Sequence, residues 1–138
     1  MGRIIAIDYG TKRVGLAVTD PLQIIATNLT TVHSKDVLTF LEDYLKNEIV
    51  ETFVIGYAKD LMNRDTDATK HIDVFIKQLK AKFPTIKTEI IDERFTSKIA
   101  MQTLVDSGVK KQKRQNKELL DSISATLILQ NYMSKIKQ

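Results

Sequence analysis

The sequence predicts an α/β fold: a mixed five-stranded sheet, three antiparallel strands followed by parallel ones, with helices on both faces. Three observations lead there. Short apolar runs closed by turn residues open the chain, similar runs then alternate with segments of helical period, and the last part carries one long helical pattern. Alternating strands and helices need crossover connections, which make neighbouring strands parallel and the crossovers right-handed.

The elements follow in order. Ile4, Ile5, Ala6 and Ile7 form a continuous apolar run ended by Asp8-Tyr9-Gly10, a buried strand that stops in a turn and leaves Asp8 at its end. Residues 14–19 make a second strand, and Asp20-Pro21 turns the chain into a third around residues 24–31. Tight turns between these three predict an antiparallel meander. Val37, Leu38, Leu41, Tyr44 and Leu45 recur at helical spacing after Ser34, the expected N-cap. Residues 52–56 form the fourth strand. Ala68, Ile72, Phe75, Ile76 and Leu79 define a second helix ending near Phe83-Pro84. Residues 87–92 form the fifth strand and run into Glu93-Arg94-Phe95. A third helix is expected over about residues 97–106, and a fourth over 116–135, with apolar positions on most of its circumference and hence well buried.

Composition narrows the function classes. At 138 residues one domain, 1–138, is expected, burying roughly two-thirds of the surface of its unfolded chain. No apolar run approaches the roughly 18 residues that span a bilayer, and the start enters a strand pattern without a signal-peptide core, so a soluble, cytoplasmic protein is expected. With no cysteine, thiolate metal sites and disulfides are excluded, and any metal rests on carboxylates, which favours Mg²⁺ or Mn²⁺. The net charge of +4 suits an anionic partner, and five bases between Lys110 and Lys117 concentrate it; a solvated loop is the plainer reading of that run.

Acids at strand ends carry the chemistry. In open sheets, sites form beyond strand ends where the strand order switches. Asp8 is such a residue, although an Asp that merely starts a turn is common. Asp92-Glu93-Arg94 is a second concentration of charge after a buried strand. Consecutive strand residues point to opposite faces, so one of the two carboxylates can face Asp8, while a local pairing of Arg94 with an acid is the alternative. Asp121 lies in an otherwise apolar helix beside Leu119, Leu120 and Ile123, with small Ser124 and Ala125 one turn on. A buried carboxylate needs a base, a donor or a metal, although a favourable position near a helix N-terminus would also account for it. Hard oxygen ligands of this kind hold Mg²⁺ while leaving positions open for phosphate oxygens. Tyr9 is expected to pack beside its turn, and neither His33 nor His71 is assigned to the site.

Ile7-Asp8-Tyr9-Gly10-Thr11-Lys12-Arg13-Val14-Gly15-Leu16-Ala17, Val54-Ile55-Gly56, Asp92-Glu93-Arg94-Phe95-Thr96-Ser97 and Asp121-Ser122 through Leu129-Gln130 stand in one order along the chain. On these motifs the sequence resembles the YqgF/RuvX family of RNase H-like proteins over essentially its whole length. The resemblance implies an RNase H-like fold and a metal-dependent nuclease whose catalytic and metal-ligating acids are Asp8, one of the Asp92-Glu93 pair, and Asp121; within the pair Glu93 is taken as the ligand, with Asp92 the alternative. It also implies phosphate contacts from Lys12, Arg13 and Arg94. Lys110, Lys111, Lys113 and Arg114 are further expected nucleic-acid contacts. The family's activities are trimming the 5′ end of pre-16S rRNA or resolving four-way DNA junctions; structured RNA is the expected partner, acting on a monomer or weak homodimer. One segment departs from the family pattern: Tyr57 to Arg64 lacks the usual Leu-Pro turn, so no substrate role is carried over to it.

Three rivals stand beside the nuclease. Asp8-x-Gly10 before a turn also opens sugar kinases and actin-like ATPases, which need a second such domain. A non-catalytic nucleic-acid-binding protein would rely on the bases from Lys110 to Lys117, with steep salt dependence. A protein-interaction module would need neither the acids nor those bases.

Overall fold

The computed structural model describes residues 2–57, 67–92 and 117–136, with side chains at all of these except 57, 67–69, 92 and 117–122. Its elements are β1 (Arg3–Tyr9), β2 (Arg13–Thr19), β3 (Ala26–His33), α1 (Val37–Leu45), β4 (Val50–Tyr57), α2 (Asp67–Lys82), β5 (Lys87–Asp92) and α3 (Lys117–Ile136). The helix expected over 97–106 lies outside the described residues.

The sheet has the order β3-β2-β1-β4-β5. β1–β2 and β2–β3 are antiparallel, β1–β4 and β4–β5 parallel, which is the predicted mixed sheet. After β3 the chain returns to the other side of β1, so the strand order switches between β1 and β4. β1, with neighbours on both sides, is covered on both faces, and this is why its sequence is an unbroken apolar run rather than an alternating one.

The pleat sends successive β1 residues to different layers. Ile5 and Ile7 pack with Leu16, Phe53 and Ile55 beneath Val37 and Leu41 of α1 and Ile72, Phe75, Ile76 and Leu79 of α2. Ile4 and Ala6 pack on the opposite face with Ala17, Val54 and Ile91 beneath Ala125, Ile128, Leu129 and Met133 of α3. Helices therefore cover both faces, as expected.

α3 runs antiparallel to β1. Its residues Gln130, Met133 and Ser134 line a cleft with Ile24, Ile25 and Ala26. Ala26 pairs with Thr19, whose Oγ1 accepts the Ile4 N–H at 2.9 Å, so the C-terminal part of α3 stands over the start of β1. Tyr132 agrees: its phenol pKa is raised by burial and then by Glu89 and Glu51, near the starts of β5 and β4.

Four local expectations change. β1 continues through Tyr9 because Asp8 and Tyr9 pair with Gly15 and Val14. β3 begins at Ala26: Ile24 and Ile25 are exposed and belong to a loop held by Asp20, whose carboxylate accepts the N–H groups of Leu22, Ile24 and Ile25 at 3.2, 2.8 and 2.8 Å. Asp36, not Ser34, is the N-cap of α1 and makes no side-chain cap bond; the Ser34 hydroxyl instead donates to the Thr11 carbonyl at 2.7 Å. Among the described side chains of α3, from 123 on, burial follows one stripe, with Gln130, Asn131, Ser134 and Lys135 exposed, because the sheet covers one side of this part.

Candidate functional site

Asp8 sits at the C-terminal end of β1, the middle strand, half-buried. Parity assigns it to the α3 face: Ile7 and Tyr9 belong to the opposite layer, Ala6 to this one. Its partner across the antiparallel ladder is Gly15. On the parallel side Ile7 is level with Ile55, so the next residue along β4 is Gly56, of the same parity as Val54 in the α3 layer. The strand positions bracketing Asp8 thus add only backbone beside the carboxylate. This point is also the topological switch between β1 and β4, where ligands of open α/β sheets bind.

The turn after β1 is tightly constrained. A Cβ on Gly10 would stand 2.6 Å from the Arg13 carbonyl oxygen, so any side chain there displaces the turn. Tyr9 stacks on Phe75 of α2 with ring centroids 4.5 Å apart and an interplanar angle of 18°, the packing role expected for it. Lys12 is exposed and Arg13 half-buried. The Ser34 N–H donates to the Lys12 carbonyl at 3.1 Å, tying the end of β3 to this turn. His33 pairs with Arg13 in the β2–β3 ladder, while His71 is exposed on α2.

Position 121 lies on α3 four and eight residues before Ala125 and Leu129, which pack on the sheet. From Met133 back to 121 the helix rises roughly 18 Å, against roughly 13 Å along β1 from Ile4 to Asp8. Position 121 and Asp8 therefore belong to the same end of the molecule. Glu93, Arg94, Lys110, Lys111, Lys113 and Arg114 lie outside the described residues. Among the described residues no three His, Cys, Asp or Glu side chains gather as a metal cluster. No described helix is long and apolar enough to cross a membrane. Gly15 and Gly56, as the pair beside Asp8, were visible only in part from sequence: both stand in the motifs, but the register that makes them neighbours of Asp8 is a tertiary fact.

The comparisons with known proteins agree on the frame. The fowlpox virus resolvase in complex with Holliday junction DNA aligns with a TM-score of 0.57 at 14% identity, covering 99% of each chain. Thermus thermophilus RuvC with a Holliday junction substrate aligns with a TM-score of 0.54 at 13% identity, covering 99% of this chain and 96% of its own. These establish the RNase H-like fold. Among sequence relatives, a protein of Amoebophilus asiaticus is 54% identical over all of this chain and 98% of its own length. One of Christiangramia forsetii is 50% identical over 96% of this chain and 98% of its own. Both are named as candidate pre-16S rRNA nucleases. The model of the RuvX family, described as Holliday junction resolvase, matches residues 2–135. With that match and relatives at half identity over their full length, the chain belongs to the RuvX family.

Proposed function

We propose that the protein is a cytoplasmic nuclease that hydrolyses phosphodiester bonds of pre-16S rRNA at its 5′ end, with Asp8, Glu93 and Asp121 as the acidic site. The observation that carries this reading is the position of Asp8: on the α3 face of the middle strand, at the β1–β4 switch point, between Gly15 and the end of β4. Position 121 lies in α3 toward the same end. Glu93 follows directly on the end of β5, whose Ile91 packs in the α3 layer.

The donor set fits a hard divalent cation, Mg²⁺ or Mn²⁺: oxygen ligands, no thiolate in the sequence, and bare backbone on both sides of Asp8. When bound, such an ion supplies charge neutralisation at the phosphate and a more acidic water. The chain's own contribution is to hold the carboxylates at fixed strand and helix positions and to bring Lys12, Arg13 and Arg94 to the phosphates, with Lys110, Lys111, Lys113 and Arg114 extending the contact.

RNA is favoured over DNA by the relatives at about half identity, which are named for pre-16S rRNA, whereas the junction-bound resolvases share the fold at 13–14% identity. Junction resolution is the second reading, favoured by the family description. It requires two active sites and hence a two-fold dimer. The test is metal-dependent cleavage of an RNA containing the 16S 5′ leader beside a DNA four-way junction, with wild type and Asp8→Asn. RNA cleavage lost in Asp8→Asn with binding retained is expected. Paired junction cuts would replace the RNA reading, and full activity of Asp8→Asn would overturn the site.

A further inference from the structure

The end of β3 places His33 on the Asp8 face beside Arg13, and the exposed Lys35 follows two residues on. We propose that His33 and Lys35, with Lys12 and Arg13, form a phosphate-binding strip that leads the substrate strand across β3 and β2 to Asp8. This rests on the nuclease reading and specifies how the same site holds its substrate.

Four observations support the strip. Arg13 and His33 are ladder partners, and Val14 and Val32, the neighbours just inside them, pack in the α1/α2 layer. Arg13 and His33 therefore belong by parity to the α3 face, with Asp8. Second, the strip is anchored: the Ser34 N–H and hydroxyl donate to the carbonyls of Lys12 and Thr11 at 3.1 and 2.7 Å, so the two basic segments hold a fixed spacing. Third, the Lys35 N–H donates to His33 Nδ1 at 3.1 Å. With Nδ1 accepting, the ring proton resides on Nε2, which is therefore a hydrogen-bond donor on an exposed residue. Fourth, His33 and Lys35 are both exposed, and the sequence from Thr11 to Lys35 has one acid, Asp20, which caps the loop at the far end of β2. Asp36, just beyond, opens α1.

Two strand spacings across and one pleat along the sheet separate Asp8 from His33 by roughly 12 Å. That reach suits backbone contacts that set register without reading bases, the division of labour in which phosphate contacts position the chain.

The test uses the full chain and a labelled RNA containing the 16S 5′ leader. Anisotropy titrations over a salt series in EDTA give binding; Mg²⁺ then gives cleavage. Lys35→Gln is expected to weaken binding about 3- to 10-fold near 0.1 M salt and to lower the salt slope by about 1. His33→Ala should weaken it comparably, and His33→Gln, which restores an N–H donor, should recover most of the loss. In cleavage, KM should rise with little change in kcat. An unchanged salt slope in Lys35→Gln, or His33→Gln as weak as His33→Ala, overturns the strip while wild-type cleavage keeps the nuclease reading intact. A wild type that neither binds nor cleaves RNA removes both.

Discussion

The two faces of the sheet are built from different stock. Beneath α1 and α2 lie Ile5, Ile7, Leu16, Phe53 and Ile55, with aromatic contacts from Phe53 to Phe83 and from Tyr9 to Phe75. Beneath α3 the strands offer Ile4, Ala6, Ala17, Val54 and Ile91, and the helix answers with Ser124 and Ala125, then with Ile128, Leu129 and Met133 toward its C-terminal end. Large side chains and aromatic rings fill one layer; the other mixes large side chains with Ala6, Ala17, Ser124 and Ala125, and Asp8 with its flanking glycines occupies its strand end. Stability and chemistry are thus separated by parity along the same strands.

This contrast predicts opposite tolerances, truncation harming one face and enlargement the other. Phe53→Ala, at a fully buried position, should destabilise the protein by about 3–5 kcal/mol, read from a denaturant midpoint; a loss near zero would mean the thick layer does not carry the fold. Ala125→Leu should cost about 1–3 kcal/mol by crowding α3 against the sheet, and a stabilised variant would show the thin layer to be loosely filled instead. Tyr9→Leu removes the stack on Phe75 and should cost about 0.5–1.5 kcal/mol while leaving cleavage near wild type. Strong loss of cleavage with normal stability would move Tyr9 from packing into the site.

The smallest effect concerns the loop that belongs to neither layer. The backbone N–H of Ile25, with those of Ile24 and Leu22, holds the Asp20 carboxyl below the usual carboxylate range. A depressed folded-state pKa contributes stability above the ordinary value of about 4, and that contribution fades as pH falls through the lowered one. Asp20→Asn should therefore lower stability slightly at pH 7, where the clamp is charged, and flatten the acid limb of a stability–pH profile below about pH 4. An identical acid limb in the variant would count against the clamp.

Much of this frame was legible from residue order. Strand and helix periods, the turn after Asp8 and the meander of the first three strands are local properties, and local patterning specifies them. What escaped the sequence depended on where side chains spend their hydrogen bonds. Ser34 has the chemistry of an N-cap, but its hydroxyl is engaged by the Thr11 carbonyl of another turn. Ile24 and Ile25 read as strand because they are apolar and β-branched, while the Asp20 carboxylate keeps them in the loop. Asp8 was legible as a strand-end acid, yet its neighbours Gly15 and Gly56 follow from register, which no single segment encodes.

The order in which the layers are made has a consequence for synthesis. β1 and β2 emerge first, but the helix that covers their Asp8 face comes from residues 117–136. Contacts between residue 4 or 6 and residues 125–133 close a loop of more than a hundred residues, the kind of non-local pairing that slows folding. On a ribosome adding residues from the N-terminus, the first strands must wait, one face uncovered, until nearly the entire chain has been made. Position 121 joins the Asp8 end only when that last helix docks, so a nascent chain lacks, until then, the full set of carboxylates proposed above.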